Sequence, residues 1–88
     1  MIKAERQHLS KVAELGCIIC QQDAEIHHIR TGMGHKRASH YQVIPLCHAH
    51  HRTGGYGVAF HAGAKKWQDN FGNEIDLLKK CNSLLKIV

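Results

Sequence analysis

Apolar positions along the chain fall into short blocks separated by Gly, Pro and Asn. Ala4, Leu9, Val12 and Leu15 recur at roughly helical spacing and Gly16 is a suitable stop, which predicts a helix from Lys3 to Leu15. The next block, CIIC at 17–20, fits neither period and reads as a turn built around two thiols. Glu25 to Ile29 (EIHHI) and Tyr41 to Leu46 (YQVIPL) are short and β-like, with a glycine-broken basic loop from Arg30 to Arg37 between them. Pro45 has no amide to donate, so the second strand lies at a sheet edge or ends there. A short helical segment from Cys47 to about Thr53 stops at Gly54 and Gly55, and VAFHAGAKKWQDNF (58–71) reads as one helix closed by Gly72. Asn73 is a good N-cap for a last helix, with Asp76 in a capping-box-like position and Ile75, Leu77, Leu78, Leu84 and Leu85 as its apolar face. The predicted order is helix, knuckle, strand, loop, strand, helix, then two more helices. No repeat, low-complexity tract or domain boundary interrupts it, so residues 1–88 are expected to form one small α+β domain.

Composition adds a constraint. A chain of 88 residues buries a modest core, with 43% hydrophobic residues and five aromatics, so a staple beyond the core is expected. No run approaches the length of a membrane span, and MIKAERQHLSK lacks the apolar stretch of a signal peptide; the chain is read as cytosolic, without a membrane partner. In that compartment four cysteines are better explained by metal ligation than by disulfides.

Cys17 and Cys20 are separated by two residues, and Cys47 and His50 repeat that spacing near the start of a helix. Two such pairs can close a tetrahedral Zn²⁺ site with three thiolates and one imidazole. The metal would clip the two-strand segment at its base and convert metal affinity into folding stability. His48 or His51 could replace His50 as fourth ligand. Cys81 stands alone, without ligand spacing, and reads as a small core residue.

Charge and histidine content bear on chemistry. Lys and Arg number 12 against 7 acids, which favours a polyanionic partner without identifying it. Nine histidines are a large excess, and seven of them lie between His27 and His51. Once the staple has taken one imidazole, His27 and His28 on the first strand would face His51 beside the zinc helix. Such a cluster can hold a hard divalent cation, Mg²⁺ or another, and leave one imidazole free as a base. There is a geometric objection. Neighbours on a regular strand point to opposite faces, so both His27 and His28 can serve one site only if the strand ends, bends or bulges there.

At CIIC, EIHHIR and IPLCHAHHR, in that order, the sequence resembles the HNH, or ββα-metal, endonuclease superfamily. HHIR followed by TGMGHKRAS, IPLCHAHHRTGGYGVAFHAG and W–FG resembles more narrowly the phage Ref family of RecA-dependent nucleases, from the first helix to Phe71. The resemblance implies a zinc-stapled ββα-metal core with an N-terminal helix and two C-terminal helices. It also implies metal-dependent hydrolysis of DNA linked to recombination, a RecA filament as partner, and a phage gene acting in the cytoplasm of a bacterial host. It makes His27 and His51 ligands of the catalytic metal and His28 the general base. His61 falls where that pattern also has a histidine; it completes the metal site, touches phosphate or is a helix residue without chemistry. The central Asn of the superfamily has no counterpart before IPLC, where His40 or Gln42 occupies the region.

Arg30, His35, Lys36 and Arg37 on the glycine-rich loop, Arg52 after the metal histidine, and Lys65 and Lys66 on the next helix are candidates for phosphate contact, giving salt-dependent, largely sequence-blind binding. Lys79 and Lys80 read as solvated charge. Few aromatics are placed to stack bases, so weak sequence preference is expected. The competing reading is a zinc-stabilised DNA-binding or recombinase-recruiting module without catalysis.

Overall fold

The computed structural model describes residues 1–86. Helix α1 (Lys3–Glu14) leads into strand β1 (Glu25–His28) and strand β2 (Val43–Leu46); a π-helical turn (Ala49–Thr53) and a 3-10 turn (Phe60–Ala62) then precede helices α2 (Ala64–Phe71) and α3 (Glu74–Leu84). The fold is a small α+β arrangement, as the patterning predicts. No helix among the described residues is long and apolar enough to cross a membrane.

The two strands pair antiparallel, with Glu25 opposite Leu46 and His28 opposite Val43. Every residue of β2 is buried, whereas in β1 only His27 is, so β2 is the strand that lies in the core. Pro45 sits inside β2 opposite Ile26; a two-stranded sheet has only edges, so the missing amide costs no ladder bond. Its carbonyl accepts from the Ile18 amide at 2.9 Å and ties the cysteine knuckle to the sheet. Val12, Val43, Ile44, Leu46, Phe60 and Trp67 form the core with Cys17, Cys47, Leu77 and Cys81. Cys81 is fully buried there, and burial pushes its thiol up to about 11, in keeping with a core role.

Several elements depart from the predicted pattern. The stretch 58–71 is not one helix: the chain becomes extended at Gly63, which separates the 3-10 turn from α2. The break lets Phe60 meet both His27 and Trp67, with ring centroids 4.4 and 5.3 Å away. The segment after Cys47 is a π-turn, closed by Gly54 N–H donating to Ala49 C=O. A Cβ at Gly54 would lie 2.6 Å from that carbonyl oxygen. In α3 the buried positions are Glu74, Leu77 and Cys81, one stripe at helical spacing; Leu84, counted in its apolar face, is 56% exposed. Asn73 caps α3 as expected, its side chain accepting from the Asp76 amide at 2.9 Å. In α1 the buried residues are His8 and Val12, whereas Ala4 is exposed.

Candidate functional site

Two groups of potential ligands stand side by side, joined through the adjacent residues His50 and His51. The first is Cys17, Cys20, Cys47 and His50, with ligand atoms all within 4.8 Å of one another. Gly16 makes the knuckle possible: its φ is +77°, and a Cβ there would come within 2.6 Å of the Gln21 carbonyl oxygen. The Cys17 amide donates to Gln22, the Gln21 amide to Cys17, and the Ile19 amide points at the Cys17 sulfur at 3.4 Å.

The Cys20 and Cys47 sulfurs are 3.7 Å apart, and His50 Nδ1 lies 3.8 Å from the Cys17 sulfur and 3.2 Å from that of Cys47. Tetrahedral ligands on one zinc would be about 3.8 Å apart for two sulfurs and about 3.6 Å for sulfur and nitrogen. The group therefore fits a metal ion such as zinc, with His50 as fourth ligand. The alternatives fall away on geometry, since His48 is mostly exposed and pairs with Glu25 while His51 turns to the second group.

That second group is His27, His51 and His61, one ring nitrogen of each lying within 4.8 Å of the others. His51 and His61 present their Nε2 atoms to each other at 3.1 Å. Two nitrogens bound to one ion would be about 3.0 Å apart at a right angle and about 3.4 Å apart at the tetrahedral angle. The spacing fits a shared cation. The three rings also contact one another edge-on or tilted, at centroid distances of 4.7 to 5.8 Å.

All three line an open cleft of about 290 Å³ with Ile26, His28, Arg30, Arg37 and His40. Neighbouring strand residues do both reach the cleft here: His28 is the last residue of β1, and it and His27 line the cleft together. His28 Nε2 is 3.0 Å from His40 Nδ1, one ring donating to the other. Gln42, the other candidate for the central position, turns away and accepts from the Ser39 amide. Burial pushes the His28 ring below its usual value, with His40, His27 and Arg37 adding to the effect. Burial also lowers His51 despite its Glu25 partner, and lowers His61 with help from His51 and Arg30. Each of these shifts favours the neutral ring.

Two carboxylates back the imidazoles, and the sequence pattern marked neither. Glu25 accepts from His51 Nδ1 at 2.6 Å and from Arg52 Nε at 2.8 Å, with His48 also on its second oxygen. Arg52, with the other two partners assisting, holds the Glu25 carboxyl down to about 2. Arg52, expected at phosphate, thus has its guanidinium on Glu25.

Glu74, fully buried at the first turn of α3, accepts from His27 Nε2 at 2.6 Å, from the amides of Arg30 and Thr31, and from the Thr31 hydroxyl at 2.8 Å. Burial would raise its carboxyl, but these bonds outweigh burial and hold it below the ordinary range. A first-turn Glu after an Asn cap is ordinary helix chemistry, so no local signal distinguishes it.

Of the basic candidates, Arg30 and Arg37 reach the cleft; His35, Lys36, Lys65 and Lys66 are exposed but do not line it. The profile of the family described as recombination enhancement, RecA-dependent nuclease matches residues 2–86. The chain belongs to this family. The family is named for a nuclease of recombination, which makes this chain a member of a nuclease family acting on nucleic acid. Among curated proteins, none matches the chain.

Proposed function

We propose that the chain is a metal-dependent endonuclease of HNH type that hydrolyses phosphodiester bonds in DNA, acting with a RecA filament as partner. The observation that carries this reading is the convergence of His27, His28, His51 and His61 on one cleft, with Arg30 and Arg37 alongside.

Cys17, Cys20, Cys47 and His50 would hold zinc with a complete tetrahedral donor set, and that ion would serve the fold. His27, His51 and His61 would hold a divalent cation. Such a cation would neutralise charge on the scissile phosphate and support the leaving oxygen. The donor set is nitrogen only, which suits a transition-metal ion better than Mg²⁺.

His28 is the general base. It donates Nε2–H to His40 Nδ1, which leaves its own Nδ1 lone pair to take a proton from water. His40 thereby assumes the orienting role that an Asn has elsewhere in the superfamily. Arg30 and Arg37 bind the phosphates flanking the cut, and Lys36, Lys65 and Lys66 extend a sequence-blind contact with the DNA backbone. The phage origin and cytoplasmic setting belong to the same reading.

The test incubates zinc-loaded protein with plasmid DNA and Mg²⁺, Mn²⁺ or Co²⁺, with and without RecA and ATP, comparing wild type with His28→Ala. Wild type should nick or cut, and the variant should be slower by roughly 10²- to 10⁴-fold, the usual worth of a general base. Equal cleavage by both would remove His28 from the mechanism. Binding without cleavage under every cation would leave the recruiting-module reading in its place.

A further inference from the structure

We infer that Glu74 is a positioning residue for the histidine site, locking His27 in the tautomer that turns Nδ1 toward a cation. The inference rests on the proposed role of His27 as a ligand. An imidazole can present a lone pair from only one nitrogen when the other carries the proton. Ionised Glu74 only accepts, so His27 Nε2, at 2.6 Å, must be the protonated nitrogen. Nδ1 then has no hydrogen-bond partner among the described residues.

The carboxylate cannot turn away to release the ring. Its two oxygens also take the amides of Arg30 and Thr31 at 2.9 Å and the Thr31 hydroxyl at 2.8 Å, so the direction it offers His27 is fixed from three sides. The Glu74 amide in turn donates to Gln68 Oε1 at 3.0 Å, which pins the start of α3 to α2. Glu25 treats His51 in the same way: it engages Nδ1 at 2.6 Å and leaves Nε2 facing His61. Two acids from opposite halves of the chain thus set the ring nitrogens that two of the three imidazoles present. Glu74 does so from full burial, and it also fixes the first residues of the Arg30–Arg37 loop beside the cleft.

Carboxylate partners of this kind orient ligand histidines and raise their basicity, and their loss costs about 10- to 100-fold in metal affinity. Glu74→Gln is nearly isosteric. Its amide oxygen can keep the loop amides, but its NH₂ would then face His27 Nε2 and demand a lone pair there.

The test reads the His27 tautomer by ¹⁵N NMR in zinc-loaded protein before any other cation or DNA is added, then measures Co²⁺ binding by calorimetry. Wild type should show protonated Nε2. Glu74→Gln should shift the proton to Nδ1 and weaken Co²⁺ binding by about 10- to 100-fold, with zinc content unchanged. Thr31→Val, which removes one bond to Glu74 without touching His27, should keep the wild-type tautomer. A Gln variant with protonated Nε2 and a Co²⁺ Kd within about twofold of wild type would overturn the inference. So would a wild type protonated at Nδ1, which decides the matter even if the Gln variant fails to fold. Cleavage enters none of these readings, so a protein that cut no DNA would count against the proposed function alone.

Discussion

The two ligand groups sit one residue apart on the same turn and are built on opposite plans. The Cys17, Cys20, Cys47 and His50 group offers three sulfurs and one nitrogen, enough to close a tetrahedron, and Cys17 and Cys47 lie in the core. The His27, His51 and His61 group offers three nitrogens around an open cleft, backed by two carboxylates and, at His27 alone, by burial against Phe60 of the core. A closed soft-ligand set suits an ion that holds structure; an open imidazole set leaves positions for water and phosphate. One π-turn carries a residue of each group, His50 and His51.

Opening the closed group should have the largest effect. Cys17→Ala should abolish the cooperative thermal transition, because structural zinc binding is worth on the order of 10 kcal/mol and a small domain has little else to replace it. A variant that still melts cooperatively near the wild-type temperature would mean that the group is not a staple. Next comes the base. His28→Ala should slow cleavage by about 3–5 kcal/mol of barrier yet leave the melting temperature within about 2 °C, since His28 lies at the cleft rather than in the core. A variant that loses fold and activity together would erase the distinction between the two groups.

A smaller effect is expected at the rim. Arg37→Ala should weaken DNA binding about equally across sequences and lower the salt-dependence slope by about one. An unchanged slope would take Arg37 off the phosphate path.

The smallest effect concerns His8, a histidine in neither group, which is buried against Tyr41 with Nε2 unpartnered. Burial, with Lys11 beside it, lowers its pKa, so the fold prefers the neutral ring. Its contribution to stability is whole above the unfolded value of about 6.5 and declines as pH falls below that, where the unfolded chain binds the proton first. His8→Leu should therefore lose less melting temperature than wild type between about pH 7.5 and about pH 5.5. Equal losses would assign all acid sensitivity to the two clusters.

The staple was legible because its ligands come as two local pairs, CxxC and CxxH, whose spacing is itself the geometric requirement. The approach of His27 and His28 to His51 followed from that clip. The partner of His27 was not legible. Glu74 stands 47 residues away, and a hydrogen bond between distant elements leaves no periodicity in either. The same carboxylate explains why the buried stripe of α3 passes through residue 74: counting apolar positions alone assigned too much weight to Leu84, which is exposed. The split of 58–71 was hidden for a related reason. Helical spacing persists across Gly63, and only the packing of Phe60 against His27 shows that the chain must turn there.

X-ray absorption at two edges tests the central claim most directly. With zinc-loaded protein supplemented with one equivalent of Co²⁺, the zinc edge should report three sulfurs and one nitrogen, and the cobalt edge imidazole nitrogens and oxygens without sulfur. Sulfur around cobalt, or cobalt with no imidazole scattering, would contradict a division between a structural and a reactive ion.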